Sequence, residues 1–184
     1  MTRLFPLCLP SLILALIATA AASPCRAEPT AEEKAVAADY LQAINNARTK
    51  LHEAGFTLGK TVGPLVQEAK DIDVANAEAK YEDLKKVLNE VKRSVDLKKV
   101  PSGDEGAAIG KAWKAFAKIQ TRVVEIEMAA IIAVLDDPNL DNEGKKAQIL
   151  KLIDRIVSKE KKDSEALTEA QKALQSAFNL DAAK

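Results

Sequence analysis

The sequence is poor in the side chains that most often carry out chemistry. Its 184 residues include one histidine, His52, and two cysteines. One imidazole cannot build a multi-histidine metal site, and a di-iron helical bundle would need Glu where Thr49 stands, three residues before His52. There is no Cys-x-x-Cys-His unit for covalent haem and no Gly-x-Ser-x-Gly turn for a serine nucleophile. We therefore predict a protein that is not an enzyme, with no catalytic residue, no metal site and no cofactor.

An excess of charge of one sign is also lacking, because 27 Lys and Arg residues are balanced by 27 Asp and Glu residues. A chain without a basic excess has no general electrostatic attraction for the nucleic-acid backbone. The apolar fraction of 47% is too high for a disordered chain, and seven Gly and seven Pro residues are too few for a collagen-like or linker-rich one. The composition predicts a folded domain that does not bind nucleic acid.

The first 27 residues have the pattern of a secretory signal peptide. Arg3 supplies a positive charge, Leu9–Ile17 forms an apolar core, and small residues follow. The apolar core is shorter than the roughly 20 residues of a membrane-spanning helix, so we predict a cleaved signal and no integral membrane segment afterwards. We prefer cleavage after Ala27, and cleavage after Ala22 is the alternative.

Cleavage after Ala27 would remove both cysteines, Cys8 and Cys25, together with Arg3 and Arg26. The mature chain would then be slightly acidic, with 25 basic and 27 acidic residues. Exported proteins with small cores often use disulfides, whereas this chain would have to be held by packing alone. It also has no Asn-x-Ser/Thr acceptor for N-glycosylation. These features favour a periplasmic or secreted protein.

Strong helix formers dominate residues 28–184, and no run alternates apolar and polar residues as a half-buried strand would. Gly and Pro divide this part of the chain into four segments, with breaks at Gly55–Pro64, Pro101–Gly103 and Pro138–Asn139. We predict an all-α fold in which residues 28–184 form a single domain, an antiparallel four-helix bundle of long amphipathic helices.

Each predicted helix carries apolar residues at spacings of three and four, which places them on one face. The second stripe is the most regular and is typical of a coiled-coil-like seam. Thr30-x-x-Glu33 and Ser102-x-x-Glu105 predict capping boxes for the first and third helices. The four predicted stripes are Val36, Tyr40, Ile44, Ala47 and Leu51; Val74, Ala77, Tyr81, Leu84, Leu88, Val91 and Val95; Ile109, Ala112, Phe116, Ile119, Val123, Ile126, Ala130 and Ala133; and Leu150, Ile153, Val157, Leu167, Leu174 and Phe178.

The fourth segment, from about Asn142 to Leu180, contains no Pro, and its only Gly lies in the first turn. A polar run, Glu160–Ser164, interrupts its apolar stripe. One interpretation is a continuous helix that extends past or splays from its partners at this point. The alternative is a break into two shorter helices.

Three glycines, Gly55, Gly59 and Gly63, are spaced four residues apart, so in a helix they would form one smooth face. Small residues at this spacing allow close helix contact. Each Gly in a helix interior also costs about 1 kcal/mol relative to Ala. The segment is therefore either a close-packing face or a hinge in which Pro64 opens the next helix.

Two short motifs are incomplete. Gly59-Lys60-Thr61 resembles the end of a phosphate-binding loop, but the required earlier glycine is replaced by Ala54. The acidic segment Asp137–Asp141 has Asn142 where a calcium loop needs Gly. We interpret the second motif as a turn in which Asp141 or Asn142 caps the fourth helix.

These observations favour a non-enzymatic structural or protein-interaction module, acting through a protein partner or through self-association of its helix faces. The glycine face and the polar-interrupted fourth helix are the candidate contact surfaces. The alternative is a periplasmic or secreted carrier that holds an apolar ligand, such as a lipid or haem, between its helices. Trp113, Phe116 and Met128 would then line the cavity.

Overall fold

Four helices and no strand make up residues 28–180, the part of the chain that the computed structural model describes. Helix α1 is Ala31–Glu68, and α2 is Val74–Asp96. Helix α3 comprises Gly103–Arg122, a π-helical turn at Val123–Met128 and a final α-helical segment, Ala129–Asp136. Helix α4 is Asn142–Ala177. The all-α prediction is confirmed for these residues, whereas the predicted signal peptide lies outside them.

Helix α1 begins with the predicted capping box. The Thr30 hydroxyl accepts from the Glu33 amide at 3.2 Å, and the Thr30 amide donates to the Glu33 carboxylate at 2.9 Å. The predicted break at Gly55–Pro64 is wrong, because α1 continues through it with Pro64 inside the helix. Buried Leu58, Val62 and Leu65 keep their helical spacing here, so packing outweighs the unfavourable glycine propensities.

The first break instead falls at residues 69–73, which contain neither Gly nor Pro. Ala69 adopts the left-handed conformation, with φ of 51°, and its amide donates to the Leu65 carbonyl at 2.9 Å. This is the conformation that ends many helices, although glycine is the usual residue in it. Helix α2 then begins with Asp73, whose side chain accepts from the Asn76 amide at 3.0 Å.

The predicted break between α2 and α3 is confirmed, but its capping box is not. The Ser102 side chain makes no capping bond to α3; its hydroxyl donates to the Glu33 carboxylate at 3.3 Å. Gly103 has a φ of 84°, which glycine tolerates without steric cost. The start of α3 is therefore tied to the start of α1.

The π-helical turn in α3 rotates the buried face by one residue. Ile126, predicted on the core stripe, is 54% exposed, whereas its neighbour Glu127 is only 4% exposed. A π-turn closes its hydrogen bonds over five residues instead of four, so it contains one residue more than an α-turn. Beyond this turn Ile131 and Leu135 are buried, whereas Ala133 of the predicted stripe is exposed.

Helix α4 is continuous, so the alternative of two shorter helices is wrong. It does not splay from its partners at Glu160, because the Gln120 side chain donates to that carboxylate at 2.9 Å. The Asp141 side chain caps it by accepting from the Gly144 amide at 2.8 Å. In its first half the predicted stripe is wrong by one position, since Leu150 and Val157 are exposed. The buried residues are Ile149, Leu152, Ile156, Leu167, Gln171 and Leu174.

Buried residues from all four helices form one hydrophobic cluster. Helix α1 packs mainly against α2, and α3 packs mainly against α4. Trp113 is 1% exposed and is the largest fully buried side chain. Within residues 28–180, no helix has both the length and the apolar character needed to cross a membrane.

Candidate functional site

An open groove of about 250 Å³ runs along one side of the second half of α1. We call it the glycine groove, because Gly55, Gly59 and Gly63 form its α1 wall. Its remaining lining comes from all but α2 and is apolar except for Gln67: Leu58, Val62, Val66, Gln67, Met128, Ile131, Ile149 and Ile153. The groove thus lies where α1, the end of α3 and the start of α4 meet.

Within residues 28–180, no other helix approaches the side-chain positions of the three glycines closely. A Cβ atom added at Gly55 or Gly59 would meet no atom within 4 Å, and one at Gly63 would meet only the Gln67 side chain at 3.8 Å. Within residues 28–180, the three glycines are therefore neither packed closely against another helix nor part of a turn. The smooth helical face is present, but it is left open.

Apolar side chains border the groove on the surface. Phe56 of α1 is 57% exposed, and Leu150 and Val157 of α4 are 42% and 61% exposed. Leu150 and Val157 flank the groove residue Ile153 at spacings of three and four, so all three share one side of α4. These α4 residues, which the sequence predicted to face the core, thus extend from the groove onto the surface.

A second cavity, of about 320 Å³, lies beside the glycine groove and shares Gly55 and Met128 with it. We call it the central cleft, because all four helices contribute to its lining. Its apolar lining residues are Leu51, Gly55, Phe56, Leu84, Phe116, Val123, Val124, Met128 and Ile156. Its polar ones are Arg48, His52, Gln120, Glu160 and Ser164.

Arg48 is held at the cleft by side chains of α4. Its Nη1 donates to the Gln171 carbonyl oxygen at 2.8 Å and lies 3.4 Å from the Thr168 hydroxyl. The amide nitrogen of Gln171, a buried residue, donates in turn to Asn45 at 2.8 Å. A guanidinium has five N–H donors, so these bonds fix its position and leave donors for other acceptors.

Glu160 enters the cleft from α4. It lies four residues after the buried Ile156, on the same face of the helix. The Gln120 side-chain amide donates to its carboxylate at 2.9 Å. Burial raises the pKa of Glu160, and the hydrogen bond from Gln120 opposes this in part. The polar run in α4 therefore brings an ionisable group among apolar residues.

Glu127 is a second acidic residue at this level, turned inward by the π-turn. It forms an ion pair with Lys159, which precedes Glu160 on α4. The hydrogen bond from Lys159 holds the pKa of Glu127 below its ordinary value. This pair joins α3 to α4 and leaves Glu160 without the same lysine.

Of the three residues predicted to line a carrier cavity, the structure brings two together. Phe116 and Met128 both line the central cleft. Trp113 lies on a separate surface cleft beside α2, where its indole N–H donates to Asp96 at 3.4 Å. The single histidine, His52, is exposed at the mouth of the central cleft and stacks on Phe56 with 6.2 Å between ring centroids.

Sequence reasoning missed Arg48, Gln120, Glu127 and Glu160. The sequence contains a signal for Glu160. It lies four residues after Ile156 and seven before Leu167, so it shares their buried face of α4. Glu127 has no such signal, since its burial depends on the π-turn. Among residues 28–180, no three His, Cys, Asp or Glu side chains lie together as a metal site would require.

No family model, no characterised protein and no solved structure matches this chain significantly.

Substitution of Gly59 by Ala tests whether the glycine groove is open. The new methyl group meets nothing, so we expect the free energy of unfolding to rise by about 1 kcal/mol, the difference in helix propensity. The control is Gly106→Ala, whose Cβ would lie 1.9 Å from the Pro101 carbonyl oxygen. It should lower stability by about 1–3 kcal/mol. Urea unfolding followed by circular dichroism measures both, and a destabilised Gly59→Ala would contradict an open groove.

Glu160→Gln tests the burial of the carboxyl group. The folded-state pKa of Glu160 is raised, so at neutral pH its ionised form disfavours folding, and stability is regained as pH falls through that pKa. Glutamine keeps an acceptor for Gln120 and has no charge. We expect the variant to be more stable than the wild type at pH 7, with the difference shrinking towards pH 4.5. Glu165→Gln, exposed on the same helix, is the control; a difference independent of pH would contradict this account.

Proposed function

We propose that this is an exported, non-enzymatic helical-bundle protein that acts as a structural or protein-interaction module. Export is supported by the basic, apolar and small-residue pattern of residues 1–27 and by the absence of cysteine from residues 28–184. Its site of action would be the periplasm or the extracellular space. Helix α1 begins shortly after the preferred cleavage site, with the capping box at Thr30.

The arrangement proposed for this protein is an antiparallel four-helix bundle. Three contacts support it. Lys98, just after α2, pairs with Asp39 near the start of α1 at 3.0 Å. The middle of α1 meets the second half of α4 through Arg48 and Gln171. The end of α1 meets the start of α4, where Lys146 donates to the Gln67 carbonyl at 3.3 Å.

The observation that carries the proposed function is the glycine groove with its apolar border. Nothing in the described chain covers Gly55 and Gly59, although the floor beneath them is apolar. A smooth glycine wall admits close approach of another helix, and an apolar groove receives side chains at helical spacing. We propose that an amphipathic helix of a protein partner, or of a second copy, docks here.

The second candidate is a carrier for an apolar ligand, and a different observation supports it. Phe116 and Met128 line the central cleft, and Met128 also lines the glycine groove. A lipid-like or haem-like ligand could extend from one into the other.

The export proposal predicts a defined mature protein. Expression of the full chain with a C-terminal tag in a secreting bacterial host should give an exported protein whose intact mass corresponds to a first residue of Glu28. A first residue of Ser23 would favour cleavage after Ala22. Retention of the whole chain in the cytoplasm with residues 1–27 intact would overturn the proposal.

The docking proposal predicts that a partner lies against Gly59. The chain without residues 1–27 has no cysteine, so Gly59→Cys creates a single attachment point for a photoreactive label. We expect the label to cross-link an amphipathic helix of one partner in native extract, because position 59 is inside the groove. The matched control is Asn89→Cys on the exposed surface of α2, which should not capture that helix.

Substitutions on the opposite border give an independent check. Leu150→Asp with Val157→Asp should reduce the cross-link at position 59 at least about tenfold, since these side chains would act as anchors. Lys161→Asp, exposed on the same helix, should leave it unchanged. Equal labelling from positions 59 and 89, or insensitivity to both border substitutions, would contradict docking in the groove.

A further inference from the structure

The central cleft contains two charged side chains of opposite sign that do not neutralise each other. Arg48 enters from α1 and Glu160 from α4. Each is hydrogen-bonded to a neutral amide, Arg48 to Gln171 and Glu160 to Gln120. Within residues 28–180, neither of them makes an ion pair with a charge on another side chain. Hydrogen bonds therefore hold both charged groups in place, but neither is paired with an opposite charge.

The lysine that precedes Glu160 is bound by a different carboxylate. This residue, Lys159, pairs with Glu127. The π-turn produces this pairing by turning Glu127 inward, and it also places Val124 and Met128 on the cleft wall. Irregular π-turns inside α-helices are frequent at functional sites. Here the turn contributes to the cleft lining and pairs Glu127 with Lys159 of α4.

The surface between the two charges is apolar. Leu84 of α2, Phe116 of α3 and Ile156 of α4 contribute to it, and the cavity volume is about 320 Å³. Ligand sites in proteins combine such an apolar lining with a few well-placed polar groups, and they occur between helices of bundles. The size suits a small molecule with one or two apolar side chains.

We propose that the central cleft binds a small zwitterion with an apolar side chain, of the size of a hydrophobic amino acid or dipeptide. The ligand's carboxylate would accept from Arg48 and its ammonium group would donate to Glu160. Its apolar side chains would contact Phe116, Met128 and Ile156. This inference goes beyond helix docking in the glycine groove and does not rest on it.

The pairing of charges excludes simpler ligands. A monocarboxylate would satisfy Arg48 but leave the partly buried Glu160 uncompensated, and an amine would do the reverse. A buried charge is costly unless it is paired and hydrogen-bonded. A ligand with both charges compensates both side chains at once, which a fatty acid cannot do.

Calorimetric titration of the folded protein with leucyl-leucine tests this directly. The controls are the same dipeptide acetylated at its amine or amidated at its carboxylate, each of which removes one charge. We expect the unmodified dipeptide to bind and each modified form to bind at least about tenfold more weakly, as the loss of a charge-assisted hydrogen bond requires. Equal binding of all three, or no binding of any, would overturn the proposal.

Variants of the protein test whether Arg48 and Glu160 bind the two charged groups of the ligand. Glu160→Gln should weaken binding of leucyl-leucine at least about tenfold while the fold is retained, and Arg48→Gln should do the same. Arg48→Lys keeps a positive charge and should restore part of the binding. Lys50→Gln and Glu165→Gln, on the same helices but outside the cleft, should bind like the wild type. Unchanged binding in Glu160→Gln or Arg48→Gln would contradict the assignment, whatever the outcome of cross-linking at Gly59.

Discussion

The third helix contains one residue more than a regular α-helix between Val123 and Met128, and much of the interior depends on that residue. It brings the carboxylate of Glu127 inward and sends the apolar side chain of Ile126 outward. By hydrophobicity alone the opposite arrangement would be favoured. The inward carboxylate is accommodated because Lys159 of α4 pairs with it. The π-turn of α3 is thus linked to α4 by the ion pair between Glu127 and Lys159.

The polar side chains around the central cleft are hydrogen-bonded to side chains of neighbouring helices. Arg48 bonds to Gln171, Gln171 bonds to Asn45, and Glu160 bonds to Gln120. Within residues 28–180, no buried side-chain nitrogen or oxygen atom lacks a hydrogen-bond partner. Complete pairing matters because an unpaired buried polar group costs about 1–3 kcal/mol. These bonds are directional, so they also fix how the helices are set relative to one another around the central cleft, which nonspecific apolar contacts would do less well.

The sequence predicted the helices better than it predicted their buried faces. Periodicity and the Thr30 cap indicated where α1 begins, and the α2 stripe through Leu84 and Leu88 is correct. Predicted breaks depended on Gly and Pro, so the break after Glu68, made by Ala69 in a left-handed conformation, had no local signal. The predicted face of α3 beyond Val123 was wrong because a uniform helical period cannot represent an inserted residue. Two acidic residues at the candidate site, Glu127 and Glu160, were missed because the predicted faces of α3 and α4 were displaced by one position there.

The π-turn is explained by packing against α4, whereas the glycines of α1 are not explained by any packing within residues 28–180. Each of Gly55 and Gly59 costs about 1 kcal/mol relative to alanine in a helix interior. Glycine compensates for that cost where another backbone approaches closely, as Pro101 approaches Gly106 in this protein. No such approach occurs at Gly55 or Gly59 within residues 28–180. A close neighbour from outside the chain would supply the missing compensation, and it would also cover the exposed apolar border of the groove at Phe56, Leu150 and Val157.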